Sequence, residues 1–184
     1  MVDLREAKQA ARKAAFARRK TAQADVDQMC RILGDHILGL PGETVSGYWP
    51  IRTEADPRVA LHRISKTRNV VLPVVDGQGL PLSFRRWTPD AEMIEGAYGA
   101  AIPACEEGAD PDILIVPLAG FDARGFRLGY GGGFYDRTLE KLRSVKPTLA
   151  VGFAYEVQGV ETLPVEDTDQ ALDFIVTETG VRAF

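Results

Sequence analysis

The chain has 184 residues, of which 45% are hydrophobic and 26% are charged, as in an ordinary globular protein. A net charge of −4 argues against a general nucleic-acid or membrane-surface binder, which needs a basic face. No apolar run reaches the roughly 20 residues of a membrane span, and no apolar signal-peptide core follows Met1. Cys30 and Cys105 lie far apart and belong to no group with metal-ligand spacing, which argues against a disulfide scaffold or a zinc module and is typical of a reducing cytosol. We therefore expect one cytoplasmic domain over residues 1–184.

Two helices are predicted at the amino-terminal end. Residues Leu4–Lys20 are dominated by Ala, Lys, Arg and other helix formers. Within them Lys8 and Arg12 are four residues apart, so one face of this helix carries a basic ladder. Asp25 is typical of the start of a second helix, which Gly39 ends. Its apolar positions keep helical spacing: Val26, Met29, Cys30, Leu33 and Ile37.

Short apolar runs between turn residues predict the strands of a sheet. They are Thr44–Trp49, Asn69–Val74, Leu82–Trp87, Ile113–Val116, Thr148–Val151 and Leu172–Val176. Between the first two, Asp56 and Pro57 predict the cap and first position of a helix through Leu61 and Ile64. Another amphipathic helix begins near Phe134. Strands that alternate with helices predict an α/β fold, a single-domain open sheet flanked by helices.

The segment Val116–Arg137, VPLAGFDARGFRLGYGGGFYDR, is the most informative part of the chain. A buried strand ends at Pro117, and a loop that contains Asp122 and Arg124 leads to four glycines within five residues, before the helix near Phe134. Ligands of open α/β sheets bind beyond the carboxyl ends of the strands, where this loop falls. Glycines let backbone N–H groups approach an anion, and the following helix N-terminus adds partial positive charge. The segment therefore predicts a phosphate site.

Glycine clusters also form ordinary turns, so the neighbouring residues matter. The loop is not a Walker A motif, because no Gly-Lys-Ser/Thr ends it, and the third glycine position of a dinucleotide fingerprint falls on Phe134. Arg127 and Arg137 flank the glycines, and Asp136 lies in the first turn of the helix. A carboxylate beside a phosphate site is a natural Mg²⁺ ligand. The alternative is that Asp136 only stabilises the helix N-terminus.

The string RLGYGGGFYDR, preceded by Phe121-Asp122, resembles the signature of the 5-formyltetrahydrofolate cyclo-ligase family. The resemblance extends over essentially the whole chain through Lys8-x-x-x-Arg12, through Trp49 to Glu54, and through Leu163-Pro164 followed by Asp169. It implies ATP-dependent conversion of 5-formyltetrahydrofolate to 5,10-methenyltetrahydrofolate with release of ADP and phosphate. It also implies a fold related to the sugar-phosphate isomerase and CoA-transferase group. Polyglutamylated forms of the folate are further candidate substrates.

The same resemblance implies a role for each matching residue. Lys8 and Arg12 match a basic pair that contacts the ATP phosphates. The nucleotide loop is formed by Arg127, Leu128, Gly129, Tyr130, Gly131, Gly132, Gly133, Phe134 and Tyr135. The folate is bordered by Trp49, Glu54, Tyr130, Gly131, Gly132, Gly133 and Phe134. Arg127 and Asp136 are the implied catalytic residues, and Asp136 and Asp169 are the implied Mg²⁺ ligands, with Asp167 as the alternative to Asp169.

Simpler interpretations of the same residues stay open. Lys8 and Arg12 could form a solvated helix face, Glu54 could be an exposed acid, and Trp49 could be an ordinary core residue. Two rival functions also stay open: a non-catalytic folate- and nucleotide-binding module on the same fold, and a sugar-phosphate or CoA-type enzyme that works without ATP. We expect a monomer with no nucleic-acid or membrane partner.

Tyr130 and Gly132 depart from the pattern, because some members of the family carry Arg and Lys at these two positions. The side chains of the loop therefore bring less positive charge here. Phosphate neutralisation would depend on backbone N–H groups, on Arg127, on the basic pair of the first helix and on the metal.

Overall fold

A seven-stranded mixed sheet forms the centre of the computed structural model, which describes residues 3–184. The helices are α1 (Leu4–Arg19), α2 (Val26–Gly39), α3 (Arg58–Ile64) and α4 (Phe134–Val145). The strands are β1 (Thr44–Ser46), β2 (Asn69–Val74), β3 (Ser83–Trp87), β4 (Met93–Glu95), β5 (Ala101–Pro103), β6 (Ile113–Val116), β7 (Gly120–Asp122), β8 (Arg127–Leu128), β9 (Leu149–Phe153), β10 (Gly159–Val160), β11 (Phe174–Thr177) and β12 (Gly180–Ala183).

The strand order of the large sheet places a crevice at its middle. The order is β12-β11-β9-β6-β1-β2-β3, and the five strands from β11 to β2 are parallel, whereas the edge strands β12 and β3 are antiparallel to their neighbours. The chain passes from β1 through α3 to β2 on one side, and β6 later pairs with the other side of β1. The connections therefore diverge between β1 and β6, the kind of switch point at which open α/β sheets bind ligands.

The two faces of the sheet carry separate parts of the core. Ile113 and Ile115 of β6 point to the face covered by α2 and α3, whereas Leu114 and Val116 point to the face covered by α4. This alternation follows from the two-residue period of a strand. All four side chains are fully buried, as expected for a parallel strand covered on both faces. The result is a three-layer arrangement that fixes the carboxyl end of β6.

Two smaller sheets complete the fold around that end. Strand β7 pairs with β8 and β10, and β4 pairs with β5 as a hairpin. Helix α1 lies close to β7, because a Cβ at Gly120 would be 3.4 Å from the Cβ of Ala15. Over residues 3–184, every helix is too short or too polar to cross a lipid bilayer.

The predicted α/β sheet flanked by helices is confirmed, with several corrections to its elements. Helix α1 ends at Arg19, one residue before the predicted end. The first strand ends at Ser46 rather than Trp49, although the N–H of Gly47 still donates to the carbonyl oxygen of Val71 on β2 (3.0 Å). Helix α3 begins at Arg58, although Asp56 accepts the N–H of Arg58 (3.0 Å) much as a cap would. That residues 1–184 form one domain stays a prediction.

The predicted loop after β6 contains strands instead. Asp122 ends β7, and Arg127 begins the antiparallel strand β8. The Asp122 carboxylate is buried and accepts N–H groups of Arg124 (2.9 Å) and Phe126 (3.1 Å), so it fixes the turn between the two strands. This hairpin positions the chain that follows it.

Candidate active site

A cleft of about 1080 Å³ opens beyond the carboxyl ends of β1 and β6. Its walls are α1, the segment after β1, the tip of the β4–β5 hairpin and residues 127–136. Residues Gly129–Gly133 form the glycine loop. Apart from the alternative metal ligand Asp167, the lining contains every residue that the sequence suggests for ATP, folate or metal: Lys8, Arg12, Trp49, Glu54, Arg127, Leu128, Gly129, Tyr130, Gly131, Gly132, Gly133, Phe134, Tyr135, Asp136 and Asp169. Residues from distant parts of the chain therefore share one site.

The glycine loop has a backbone that favours glycine at two positions. Gly131 has φ of +99° and Gly133 has φ of +65°, both in the left-handed region. Gly133 also precedes α4, and no side chain caps that helix. The first-turn N–H groups of α4 therefore stay available to an external acceptor, and the helix dipole adds partial positive charge there. This geometry suits an anion such as phosphate.

The basic face of α1 lies against the glycine loop instead of facing solvent. The Lys8 side chain is only 10% exposed, and its Nζ lies 2.6 Å from Asp169 Oδ2 and 3.4 Å from Glu166 Oε1. The Nε of Arg12 donates to the carbonyl oxygen of Gly129 (3.2 Å). Both cations are thus held at the edge of the predicted phosphate site.

Two carboxylates border the loop, and each is already held by a cation. Asp136 Oδ1 accepts hydrogen bonds from Arg127 (2.9 Å) and from the backbone N–H of Gln170 (3.0 Å). Asp169 Oδ2 accepts from Lys8 and from the backbone N–H of Glu166 (2.8 Å). The second oxygen of each carboxylate accepts no hydrogen bond from the described part of the chain. Asp167, the alternative to Asp169, is exposed and lies outside the cleft lining.

The donor set fits Mg²⁺ carried by a nucleotide better than a resident metal ion. No cluster of three or more His, Cys, Asp or Glu suited to a metal occurs in residues 3–184. Mg²⁺ is usually bound by one or two carboxylates, with phosphate oxygens and waters as the other ligands. The unused oxygens of Asp136 and Asp169 match that requirement.

At the other end of the cleft, Glu54 is a half-buried carboxylate rather than an exposed acid. Its Oε2 accepts the backbone N–H of Ile51 (2.9 Å). Burial raises the pKa of Glu54, and the Ile51 amide together with the charge of Arg19 offsets part of that rise. Such a carboxylate can accept hydrogen bonds from a ligand that presents N–H donors.

Aromatic side chains form much of the remaining wall. Trp49 is half-buried against the core, and the guanidinium of Arg58 lies 4.9 Å from its ring centroid, so only part of the indole faces the cleft. Phe134 lies 6.0 Å, centroid to centroid, from Tyr98 at the tip of the β4–β5 hairpin. Burial raises the pKa of Tyr135, so its phenol stays protonated. Flat apolar surfaces thus surround the polar groups.

Sequence reasoning missed two contributors to this cleft. One is the tip of the β4–β5 hairpin with Tyr98, whose three-residue strands are too short to show a period. The other is Arg19, which is buried beneath the glycine loop. Its signal was present, because Lys8, Arg12, Ala15 and Arg19 recur at spacings of four, three and four along one face of α1.

The model of the 5-formyltetrahydrofolate cyclo-ligase family matches residues 4–178, which is nearly the whole chain. The chain belongs to this cyclo-ligase family. The resemblance stated from the sequence is therefore confirmed. Relatives named 5-formyltetrahydrofolate cyclo-ligase occur in several bacteria. The one from Haemophilus influenzae is 42% identical over 113 residues, which cover 58% of this chain and 60% of the relative. The one from Mycolicibacterium smegmatis is 30% identical over 150 residues, 76% of each chain.

Some of these matches are partial. The aligned region spans less than two thirds of the Haemophilus relative, and it spans 38% of an Escherichia coli cyclo-ligase that is 53% identical over 70 residues.

The cyclo-ligase family also has solved structures with this fold. The 5,10-methenyltetrahydrofolate synthetase of Aquifex aeolicus superposes with a TM-score of 0.77 at 30% identity, covering 96% of this chain and 92% of that protein. A synthetase from Mycoplasma pneumoniae gives a TM-score of 0.68 at 22% identity, a likeness in fold.

Proposed function

We propose that this protein closes the ring of 5-formyltetrahydrofolate to give 5,10-methenyltetrahydrofolate, with ATP as co-substrate and Mg²⁺ as cofactor. The observation that carries the proposal is the layout of one cleft, in which an uncapped helix N-terminus with flanking cations faces a half-buried carboxylate. Family membership supports the same reaction.

The glycine loop and α1 would bind the triphosphate. Backbone N–H groups of the loop and of the first turn of α4 would donate hydrogen bonds to the phosphate oxygens. Lys8 and Arg12 would contact the same phosphates from the opposite side. Arg127 is nearly buried, with 4% side-chain exposure, and Asp136 fixes its orientation. We assign the γ-phosphate to this end of the cleft.

The segment after β1 would bind the folate. The pterin ring presents an amino group and a ring N–H along one edge, and the Glu54 carboxylate would accept hydrogen bonds from both. The exposed part of the Trp49 indole would pack on the flat ring. This orientation points the N5-formyl group toward the glycine loop.

The formyl group is an amide, so its carbon is a weak electrophile and its oxygen a poor leaving group. In the proposed reaction this oxygen attacks the γ-phosphorus, and ADP leaves. N10 then attacks the activated carbon and loses its proton, and phosphate departs with the former formyl oxygen. When bound through Asp136 and Asp169, Mg²⁺ supplies positive charge to the phosphate oxygens. The protein contributes alignment and charge rather than a nucleophile.

The test is to incubate the purified protein with Mg²⁺, ATP and 5-formyltetrahydrofolate and to follow the absorbance of the methenyl product. We expect product only when both substrates are present. Binding of both substrates without product would favour the non-catalytic module, and turnover without ATP would contradict the mechanism. Polyglutamylated 5-formyltetrahydrofolate is a second substrate to compare.

We also propose that the protein acts as a cytoplasmic monomer without nucleic-acid or membrane partners. Light scattering coupled to size-exclusion chromatography tests the oligomeric state.

A further inference from the structure

Arg19, in the last turn of α1, is a buried cation that forms no ion pair with any residue the structure describes. Its relative exposure is 3%. Removing a guanidinium from water is unfavourable unless good hydrogen bonds and nearby charge offset the lost hydration. The partial negative charge at the end of the helix offsets only part of it. The remaining stabilisation has to come from the groups around Arg19.

The guanidinium donates to three different loops at the ligand edge of the sheet. Nε donates to the hydroxyl of Thr53 (2.9 Å), in the segment between β1 and α3. The two terminal nitrogens donate to the carbonyl oxygen of Leu118 (3.3 Å), after β6, and to the hydroxyl of Tyr130 (2.8 Å), in the glycine loop. Because the guanidinium is planar and its donors are fixed, these bonds set the relative positions of the three loops.

Aromatic rings enclose the same group. The central carbon of the Arg19 guanidinium lies 5.2 Å from the ring centroid of Phe16 and 5.7 Å from that of Tyr130. The two rings are 5.1 Å apart, centroid to centroid. This packing favours one orientation of the guanidinium and restricts the motion of Tyr130.

Glu54, one residue after Thr53, is the acid that responds to this charge. Burial raises the pKa of Glu54, and Arg19 and the Tyr130 hydroxyl both act to lower it. The groups that face Glu54 from the surrounding elements are Arg19 on α1, Arg52 and Tyr48 after β1, Tyr130 in the glycine loop and Tyr135 on α4. Of these, Arg19 and Arg52 are the cations. Arg52 is exposed, so water screens its charge more strongly than that of Arg19.

We propose that Arg19 is a positioning residue for the folate end of the cleft: its hydrogen bonds hold Thr53, the neighbour of Glu54, and Tyr130 of the glycine loop in fixed relative positions. In these positions its charge also favours the ionised form of Glu54. The inference rests on the proposed function, since it takes Glu54 as the pterin acceptor. Helix α1 then serves both substrates, with Lys8 and Arg12 at the nucleotide end and Arg19 at the folate end. Loss of Arg19 should weaken folate binding while ATP binding persists.

The experiment compares Arg19→Met with Lys20→Met. Lys20 is the next residue, and its side chain is exposed, so this control removes the same charge at the surface. Calorimetry measures the binding of 5-formyltetrahydrofolate and of ATP separately over a series of pH values from neutral to acidic. For Arg19→Met we expect at least about tenfold weaker folate binding at neutral pH, with the loss of folate affinity on acidification displaced to higher pH. ATP affinity should fall less than folate affinity, because Tyr130 is the glycine-loop residue that Arg19 bonds, and Lys20→Met should match wild type for both ligands.

Two further variants keep the test decisive. Arg19→Lys keeps the positive charge but loses the planar guanidinium with its fixed donors. Its folate affinity should therefore fall, while the pH at which folate binding is lost on acidification should stay near the wild-type value. If Arg19→Met does not fold, this variant carries the test, and wild-type folate affinity in it would overturn the proposal. In a Glu54→Gln background, Arg19→Met should produce no further change in the pH dependence of folate binding.

The outcomes separate the inference from the proposed function. Equal weakening of ATP and folate binding in Arg19→Met, or loss of its folate affinity at the same pH as in wild type, would overturn the role of Arg19. A wild-type protein that binds folate with the expected pH dependence but forms no methenyl product would overturn the proposed reaction and leave the role of Arg19 supported.

Discussion

Replacement of Asp136 by asparagine separates the charge of this residue from its place in the fold. The asparagine side chain has nearly the same shape, and its oxygen can still accept from Arg127 and from the N–H of Gln170. The variant therefore loses mainly the negative charge. If Asp136 binds Mg²⁺ in the nucleotide complex, that charge is what turnover requires.

The expected loss of stability follows from the contacts. Asp136 Oδ1 accepts at 2.9 Å and 3.0 Å, and its side chain is 26% exposed. A hydrogen bond to a charged group contributes about 1.5–3 kcal/mol, against about 0.5–1.5 kcal/mol for a neutral one, so the change in the two bonds costs about 2–3 kcal/mol. For a chain of this length the melting temperature should fall by about 4–12 °C. Turnover should fall by about 100-fold or more, as for removal of other preorganised charge-stabilising groups.

Asp112→Asn is a matched control outside the cleft. Asp112 also pairs with a cation, Lys146 (2.7 Å), accepts the backbone N–H groups of Glu43 and Thr44, and has a side-chain exposure of 29%. Because both oxygens of Asp112 accept hydrogen bonds and an asparagine amide can replace only one of them as an acceptor, this variant should lose at least as much stability as Asp136→Asn, with turnover within about twofold of wild type. The assay combines thermal unfolding with the rate of methenyl product formation. Turnover of Asp136→Asn within about threefold of wild type, or equal losses of turnover in Asp136→Asn and Asp112→Asn, would refute the reasoning.

Other predictions concern both ends of the cleft. Because burial raises the pKa of Glu54, folate affinity should be present above that pKa and fall as the pH drops through it, and Glu54→Gln should bind weakly with no such dependence. Replacing Lys8 and Arg12 together by alanine should raise the KM for ATP about tenfold or more and spare folate affinity; an unchanged KM in a folded variant rejects their role. Gly131→Ala should weaken ATP use more than Gly129→Ala, because only Gly131 has a positive φ and lies beside Arg12; equal effects in steady-state kinetics would contradict this.

The parts of the fold that the sequence predicts are those with local causes. The all-apolar run Ile113–Val116 indicates a buried strand, and the glycines before Phe134 indicate a tight turn into a helix, whatever the rest of the chain does. The two-residue strands β8 and β10 depend on β7, which is distant in sequence from β10, so no periodic pattern marks them. Short strands of this kind follow from tertiary pairing rather than from propensity.

The candidate site divides in the same way. Its glycine loop and basic pair are visible in the sequence, and the structure places them together. Arg19 looks like a surface residue of a charged helix until α1 lies against β7 and the loops close over it. Asp122 shows the opposite: it lies within the informative segment Val116–Arg137, yet the turn between β7 and β8 accounts for its buried carboxylate.

The ion pairs Lys8–Asp169 and Arg127–Asp136 have a consequence for ligand selection. A polyanion without a metal ion that bound Lys8 and Arg127 would leave Asp169 and Asp136 without their positive partners. A free divalent cation that bound the two aspartates would likewise leave Lys8 and Arg127 without their negative partners. A ligand that carries both positive and negative charge gives each of these side chains a new partner of opposite charge in place of the old one. If the cleft binds ATP as proposed, it should therefore select the Mg²⁺–ATP complex as a unit, and free ATP and free Mg²⁺ should each bind far more weakly than their complex.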